Sequence, residues 1–188
     1  MDLQELLPQA RQYLSRVPIV APGWDTGAPR SVTPLAQGEY NLNYLVTQSR
    51  RRTVRRWVFR VNIGTQIGRA DQILYEYCAL KLLEPTGVTP RAYFVDDSRA
   101  HLGYGALLME YLPGEALDYR RDLEAAASLF ARIHSLAIDP ERNHLIREER
   151  PLSMTFEECS RLLPVYLESE LADPELKRYL REVLAWAS

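Results

Sequence analysis

Hydrophobic side chains recur along this chain with two different periods. Over residues 3–16, Leu3, Leu6, Leu7, Ala10, Tyr13 and Leu14 return every three or four positions, the spacing of one helix face, with Pro8 near the first turns. A loop rich in proline and glycine follows, through Pro18, Pro22, Gly23, Gly27 and Pro29. From Ser31 the period drops to two. Strands are predicted near 31–36, 41–48 and 55–62, the first pair turning at Gly38 and the second at an arginine-rich stretch, Ser49–Thr53. In the third strand, alternation puts Trp57, Phe59 and Val61 on one face and Val58, Arg60 and Asn62 on the other. Helical spacing returns over 70–84 in Ile73, Leu74, Tyr77, Leu80 and Leu83, and Pro85 and Gly87 stop it. Two more strands are expected near 91–96 and 105–111, the second ended by Pro113-Gly114. Everything beyond reads as helix: Leu123–Leu136 with Asp122 as its expected N-cap, then 155–167 and 174–187, with Pro164 and Pro174 as interruptions.

Strands first and helices afterwards predict an α+β fold. The expected architecture is a five-stranded antiparallel sheet with one helix packed on it, followed by a helical part. The division falls at 1–111 and 112–188.

Composition narrows the class. The chain has 188 residues, 46% of them apolar, so it can bury a core. Its 23 basic and 25 acidic residues give a net charge of −2, which excludes a strong whole-chain field for nucleic acid or anionic lipid, though not a local patch. No apolar run approaches the ~18 residues of a membrane span, and the acidic start, Met1-Asp2-Leu3-Gln4-Glu5, is unlike a secretory signal, so a cytoplasmic location is expected. Cys78 and Cys159 read as free thiols.

Four features carry candidate chemistry. Gly38 sits in a tight turn whose backbone amides can cover a phosphate, although glycine at a hairpin also serves the turn alone. Arg60 is a cation in mid-strand among apolar neighbours, and it either needs a partner or reaches solvent at an edge. Glu76, on the following helix, is either a solvated face residue or that partner. A strand cation held by a helix carboxylate can be kept rigid against nucleotide phosphates. Last, Leu107–Gly114 runs an apolar strand into an extended link whose backbone can pair with a flat base.

The runs Leu35–Val46, Trp57–Asn62, Tyr75–Leu80, Leu108–Gly114 and Ala131–Leu136, in this order and spacing, resemble the aminoglycoside phosphotransferase and choline kinase superfamily. The resemblance covers residues 31–137. It implies a protein-kinase-like N-terminal lobe, followed by helices of an incomplete C-terminal lobe. It also implies transfer of the γ-phosphoryl group of ATP or GTP, with Mg2+, to a small-molecule hydroxyl. By resemblance, Gly38, Glu39, Tyr40 and Asn41 would lie over the phosphates and Val58 on the base. Arg60 would take the place of the phosphate-binding lysine, with Glu76 as its helix partner. Met109 would border the base pocket, while the carbonyl of Glu110 and the amide of Leu112 pair with the base edge.

Two departures stand out. Arginine replaces the family's lysine at residue 60, keeping the charge but changing its shape. The family's His-Gly-Asp catalytic loop is absent. The only histidines are His101, His134 and His144, and none precedes Gly-Asp. Asp118, Asp122 and Asp139 read as caps or surface charges, and no metal-ligand spacing is present. The expectation is therefore a piece of a longer phosphotransferase. Its catalytic and metal-binding residues would lie beyond Ser188, and it would be inactive alone. Helix faces near Leu162, Leu163, Leu180 and Leu184 would be left uncovered and favour self-association. Two alternatives stay open: a non-catalytic module binding nucleotide or protein, and an RNA- or DNA-binding domain using Arg50, Arg51, Arg52, Arg55 and Arg56.

Overall fold

The structure, a computed structural model, describes residues 2–187. Helix α1 (Leu3–Arg16) opens the chain. Asp2 caps it by accepting the Gln4 and Glu5 amides at 2.7 and 2.9 Å, and the Glu5 carboxylate accepts the Asp2 amide at 2.8 Å. Strands β1 (Arg30–Gln37), β2 (Asn41–Arg50) and β3 (Thr53–Asn62) follow, then α2 (Gln72–Leu83), β4 (Ala92–Asp96) and β5 (Gly105–Glu110). Helices α3 (Leu123–His134), α4 (Pro151–Glu168) and α5 (Pro174–Ala187) complete the order.

The five strands form one antiparallel sheet in the order β1-β2-β3-β5-β4. Pro34, which cannot donate to a ladder, lies in the edge strand β1, beside an irregularity in its pairing with β2. The sheet is covered on both faces, because alternation sends apolar side chains to both. Leu42, Tyr44, Val46, Trp57, Phe59 and Val61 meet Leu6, Ala10, Tyr13 and Leu14 of α1. Val58, Leu107 and Met109 meet Ile73 of α2. The sequence predicts one helix on this sheet; α1 is the second, and its stripe shows that it buries a face without showing against what.

Two contacts lock these layers. Tyr13 donates to the Asp96 carboxylate at 2.6 Å, tying α1 to the end of β4. Burial pushes the Tyr13 phenol far above its usual range, and the bond to Asp96 adds to this. Gly105 starts β5 where α2 passes closest: a Cβ there would come within 2.4 Å of Ile73 Cγ2. A glycine is what lets helix and strand approach.

The chain packs as two compact units, one ending at Leu145 and one beginning at Ile146. This cut differs from the lobe division expected at residues 111 and 112, and α3 falls in the first unit. There Arg132 of α3 donates to the Thr86 carbonyl at 2.5 Å. Asp122 does not cap α3, because its carboxylate instead accepts from Arg121 and from the Asp118 amide. In the second unit, α4 begins a turn earlier than predicted, with Pro151 in its first turn, and Pro174 likewise opens α5 rather than interrupting it. Pro164 lies inside α4 without ending it. An apolar cleft of about 360 Å³ lies between α4 and α5, lined by Leu152, Phe156, Cys159, Leu163, Leu180 and Leu184.

Candidate nucleotide site

The site is assembled on the α2 side of the sheet. Residues of even spacing on β2 and β3 share that face, and the ladder sets Asn41 opposite Asn62, Asn43 opposite Arg60 and Leu45 opposite Val58. Polar positions thus stack at the β1–β2 turn end of the face, and apolar ones continue it. Strand interiors rarely carry asparagine, so this column is unusual in composition.

Arg60 is held from two sides. Its guanidinium forms an ion pair with the Glu76 carboxylate, and its Nε donates to Asn43 Oδ1 at 2.8 Å. Both members of the pair are about three-quarters buried. Burial pushes the Glu76 carboxyl above its ordinary range, and the Arg60 cation opposes that push without cancelling it. The expected pairing of residues 60 and 76 is therefore present. Asn43 was not among the expected site residues, although its place on the Arg60 face of β2 is a readable signal.

The Gly38–Asn41 turn is tied at its base. The Gly38 amide donates to the Asn41 carbonyl at 2.9 Å, and Asn62 donates to the Tyr40 carbonyl and to Asn41 Oδ1 at 3.2 and 3.1 Å. Gly38 has no left-handed φ, and a Cβ there would meet nothing closer than 3.8 Å. The turn as it stands does not need glycine. The missing side chain leaves the outside of the turn open to the close approach of another molecule. Glu39 and Tyr40 engage one another, and the Glu39 carboxylate holds the Tyr40 phenol above its usual range.

The remaining expected residues lie on β3 and β5. Val58 and Met109 face each other across the ladder. Both are buried, in a cluster with Ile73, Ala92 and Leu107. The Glu110 amide donates to the Arg91 carbonyl at 2.8 Å, and its carboxylate accepts the Arg91 amide at 3.2 Å. Neither group is one that the expected base pairing uses. Leu112 lies just past the end of β5 and is exposed. Among the described residues, no group of three or more His, Cys, Asp or Glu is placed to hold a metal ion, and no helix is long and apolar enough to cross a membrane.

A five-stranded antiparallel sheet whose central strand carries a cation tied to the carboxylate of the packed helix is the arrangement of a kinase-like fold. The chain belongs to the phosphotransferase enzyme family, whose model matches residues 31–187. A solved structure from Ralstonia eutropha JMP134, titled a "putative aminoglycoside phosphotransferase", has the same fold with a TM-score of 0.57 at 16% identity. The match covers 89% of this chain and 49% of that one, so the present chain spans about half of that protein's length. A comparison with curated proteins returns no match.

Proposed function

We propose that this chain is the nucleotide-binding part of a phosphotransferase that moves the γ-phosphoryl group of ATP or GTP to a small-molecule hydroxyl. The observation that carries the reading is Arg60. A guanidinium three-quarters buried in a sheet costs free energy unless it is partnered. Here a carboxylate from the helix and an amide from the neighbouring strand hold it in one orientation. It supplies a fixed positive charge on the face that ends at the Gly38 turn. Such a pair positions nucleotide phosphates in kinases.

The roles follow from position. Arg60 binds phosphate oxygens through its remaining N–H groups, and Glu76 and Asn43 set its direction. The Gly38–Asn41 turn covers the phosphates with backbone. Val58 and Met109 border the base from the apolar end of the same face, and Glu110 and Leu112 offer backbone to its edge. Magnesium, which accompanies the nucleotide in this chemistry, would when bound offset the charge of the phosphates. In this reading residues 1–111 form the nucleotide lobe, and the acceptor and metal ligands belong to a His-Gly-Asp loop that residues 1–188 do not contain. The chain by itself then binds nucleotide weakly and transfers nothing.

Calorimetric titration with ATP and Mg2+ tests the site. Arg60→Ala is expected to weaken binding at least about tenfold, while Arg60→Lys, which keeps the charge, restores part of it. Unchanged binding in Arg60→Ala removes the assignment. A coupled kinase assay with amino-alcohol and aminoglycoside acceptors should show no turnover by residues 1–188, and turnover would place the catalytic residues within this chain.

A further inference from the structure

The β2–β3 hairpin carries Arg50, Arg51, Arg52, Arg55 and Arg56, and the nucleotide site uses none of them. The strand ladder sorts these cations. Gln48 stands opposite Arg55 and Arg50 opposite Thr53, all on the sheet face that also carries Trp57. Arg56 falls on the other face and lies over the Tyr111 ring at 6.0 Å. Arg50, Arg51 and Arg55 line a cleft of about 340 Å³ between the hairpin and the loop preceding β1, together with Gly23, Asp25 and Thr53.

The walls of this cleft are fixed. Gln48, only 4% exposed, accepts the Asp25 amide at 3.1 Å and donates to the Asp25 carbonyl at 2.7 Å. Arg30 stacks on Trp24 at 4.8 Å and donates to the Thr26 carbonyl at 2.8 Å. The Arg55 guanidinium lies against Gly23, whose φ is +71° and where a Cβ would stand 2.3 Å from the Arg55 Nε. A side chain there would have to displace the Arg55 guanidinium, and the positive φ itself suits glycine. Arg51 sits at φ +55°, where glycine or asparagine costs less than an arginine.

The charges are unbalanced. Asp25 is the one carboxylate in the lining. It is engaged by Arg50 at 3.4 Å and by the Gly27 amide at 3.0 Å. Among the described residues, neither Arg51 nor Arg55 has an ion-pair partner. Arg51 and Arg55, neither in an ion pair, and Thr53 line one concave space, and guanidinium forks match the oxygens of adjacent phosphates.

We propose that this cleft is a second anion site, separate from the nucleotide site, that takes a small molecule bearing two or more adjacent phosphate groups. Its shape argues against a nucleic-acid strand. The hairpin's arginines are divided between two faces, and no aromatic ring lines the cleft for a base to stack on.

The probe is inorganic triphosphate, titrated calorimetrically and by thermal unfolding at constant ionic strength. Triphosphate should still raise the unfolding temperature of Arg60→Ala, in which the nucleotide site is disabled, since ligand bound to the native state stabilises it by mass action; the further variants are compared in that background. The pair Arg51→Gly and Arg55→Ala should weaken binding at least about tenfold, whereas Arg52→Ala with Arg56→Ala changes it by less than about twofold. If the first pair impairs folding, Arg51→Gly alone carries the test, because glycine suits that backbone. Loss of binding in Arg60→Ala alone, equal weakening by both pairs, or a single-stranded oligonucleotide that binds more tightly than triphosphate would each overturn the proposal. Failure of the nucleotide reading, by contrast, would show in ATP titrations of Arg51→Gly, where adding Arg60→Ala would then change nothing.

Discussion

The sheet and the helices that follow it treat apolar side chains in opposite ways. Phe59, Leu42, Tyr44, Val61 and Leu108 are fully buried, whereas Leu152 is 85% and Trp186 87% exposed. Among the described residues, every buried apolar residue except Ala172 lies before residue 110, and α3 and α4 bury none completely. The difference comes from how each element satisfies itself. A sheet pairs its own backbone over long sequence distances and presents two faces that α1 and α2 cover here. An amphipathic helix satisfies its backbone locally but leaves its stripe dependent on a facing surface.

Substitutions at matched residues would break that contrast most directly. Phe59 is stacked against Tyr13 with ring centroids 5.5 Å apart and lies beside its cross-strand neighbour Tyr44, ring centroids 6.4 Å apart. Phe59→Ala should cost about 3–5 kcal/mol, read by urea unfolding. Leu152→Ala in α4 should change stability by no more than about 0.5 kcal/mol. Comparable losses at both positions would show that the helical region is as firmly packed as the sheet.

Two glycines sharpen the comparison within the sheet. Gly105→Ala drives a Cβ into Ile73 and should cost about 1–3 kcal/mol. Gly38→Ala meets ordinary contact distances, so its stability should stay within about 0.5 kcal/mol while nucleotide binding falls. A large stability loss at Gly38 would return that glycine to a purely structural role.

A smaller effect is expected from Tyr13→Phe, which removes the bond to Asp96 and should cost about 0.5–1.5 kcal/mol. Burial pushes the Asp96 carboxyl up, but hydrogen bonds from Ser98 and Tyr13 outweigh it and hold the group below its ordinary range. A lowered carboxylate contributes stability above its unfolded value and loses it as pH falls through the lower folded one. The Tyr13→Phe difference should therefore narrow on acidification, in unfolding curves collected across the acid range. A difference constant with pH would separate Asp96 from this bond.

The smallest effect is spectroscopic. Glu76 is raised, so its contribution runs the other way: it is full below the unfolded carboxylate value and lost as pH rises through the folded one. Replacing Arg60 with methionine removes the opposing cation, and the Glu76 carboxyl carbon should titrate higher still by NMR. A downward shift would mean that Arg60 is not what opposes burial at Glu76.

Much of this arrangement was legible in advance. All five strands were located within two residues of their observed ends. Alternation marks β2, whose buried positions alternate, whereas β5 reads as a short apolar run bounded by turn residues because it is buried on both faces. Arg60 and Glu76 were readable as a pair because a cation flanked by Trp57, Phe59 and Val61 needs a partner, and the next element offers a carboxylate. Asn43 was missed because its role depends on standing opposite Arg60, a matter of register rather than of neighbours. Asp122 misled for a similar reason: its position before a helix suits capping, but Arg121 and the Asp118 amide take its carboxylate.

The sequence by itself determined the periods, the α+β order, the division of β3 into an aromatic face and an Arg60 face, and the family, since these depend on residue types at fixed short spacings. Only the tertiary structure decided that α1 covers the second face of the sheet, and that Arg60 is oriented by both Glu76 and Asn43. The same holds for the three hairpin arginines gathered around one cleft while Arg56 turns away. Periodicity shows which side of an element is buried, but the partner is set by strand register and loop path. Those join residues such as Gly23 and Arg55, which are far apart in the chain and meet only when the sheet closes.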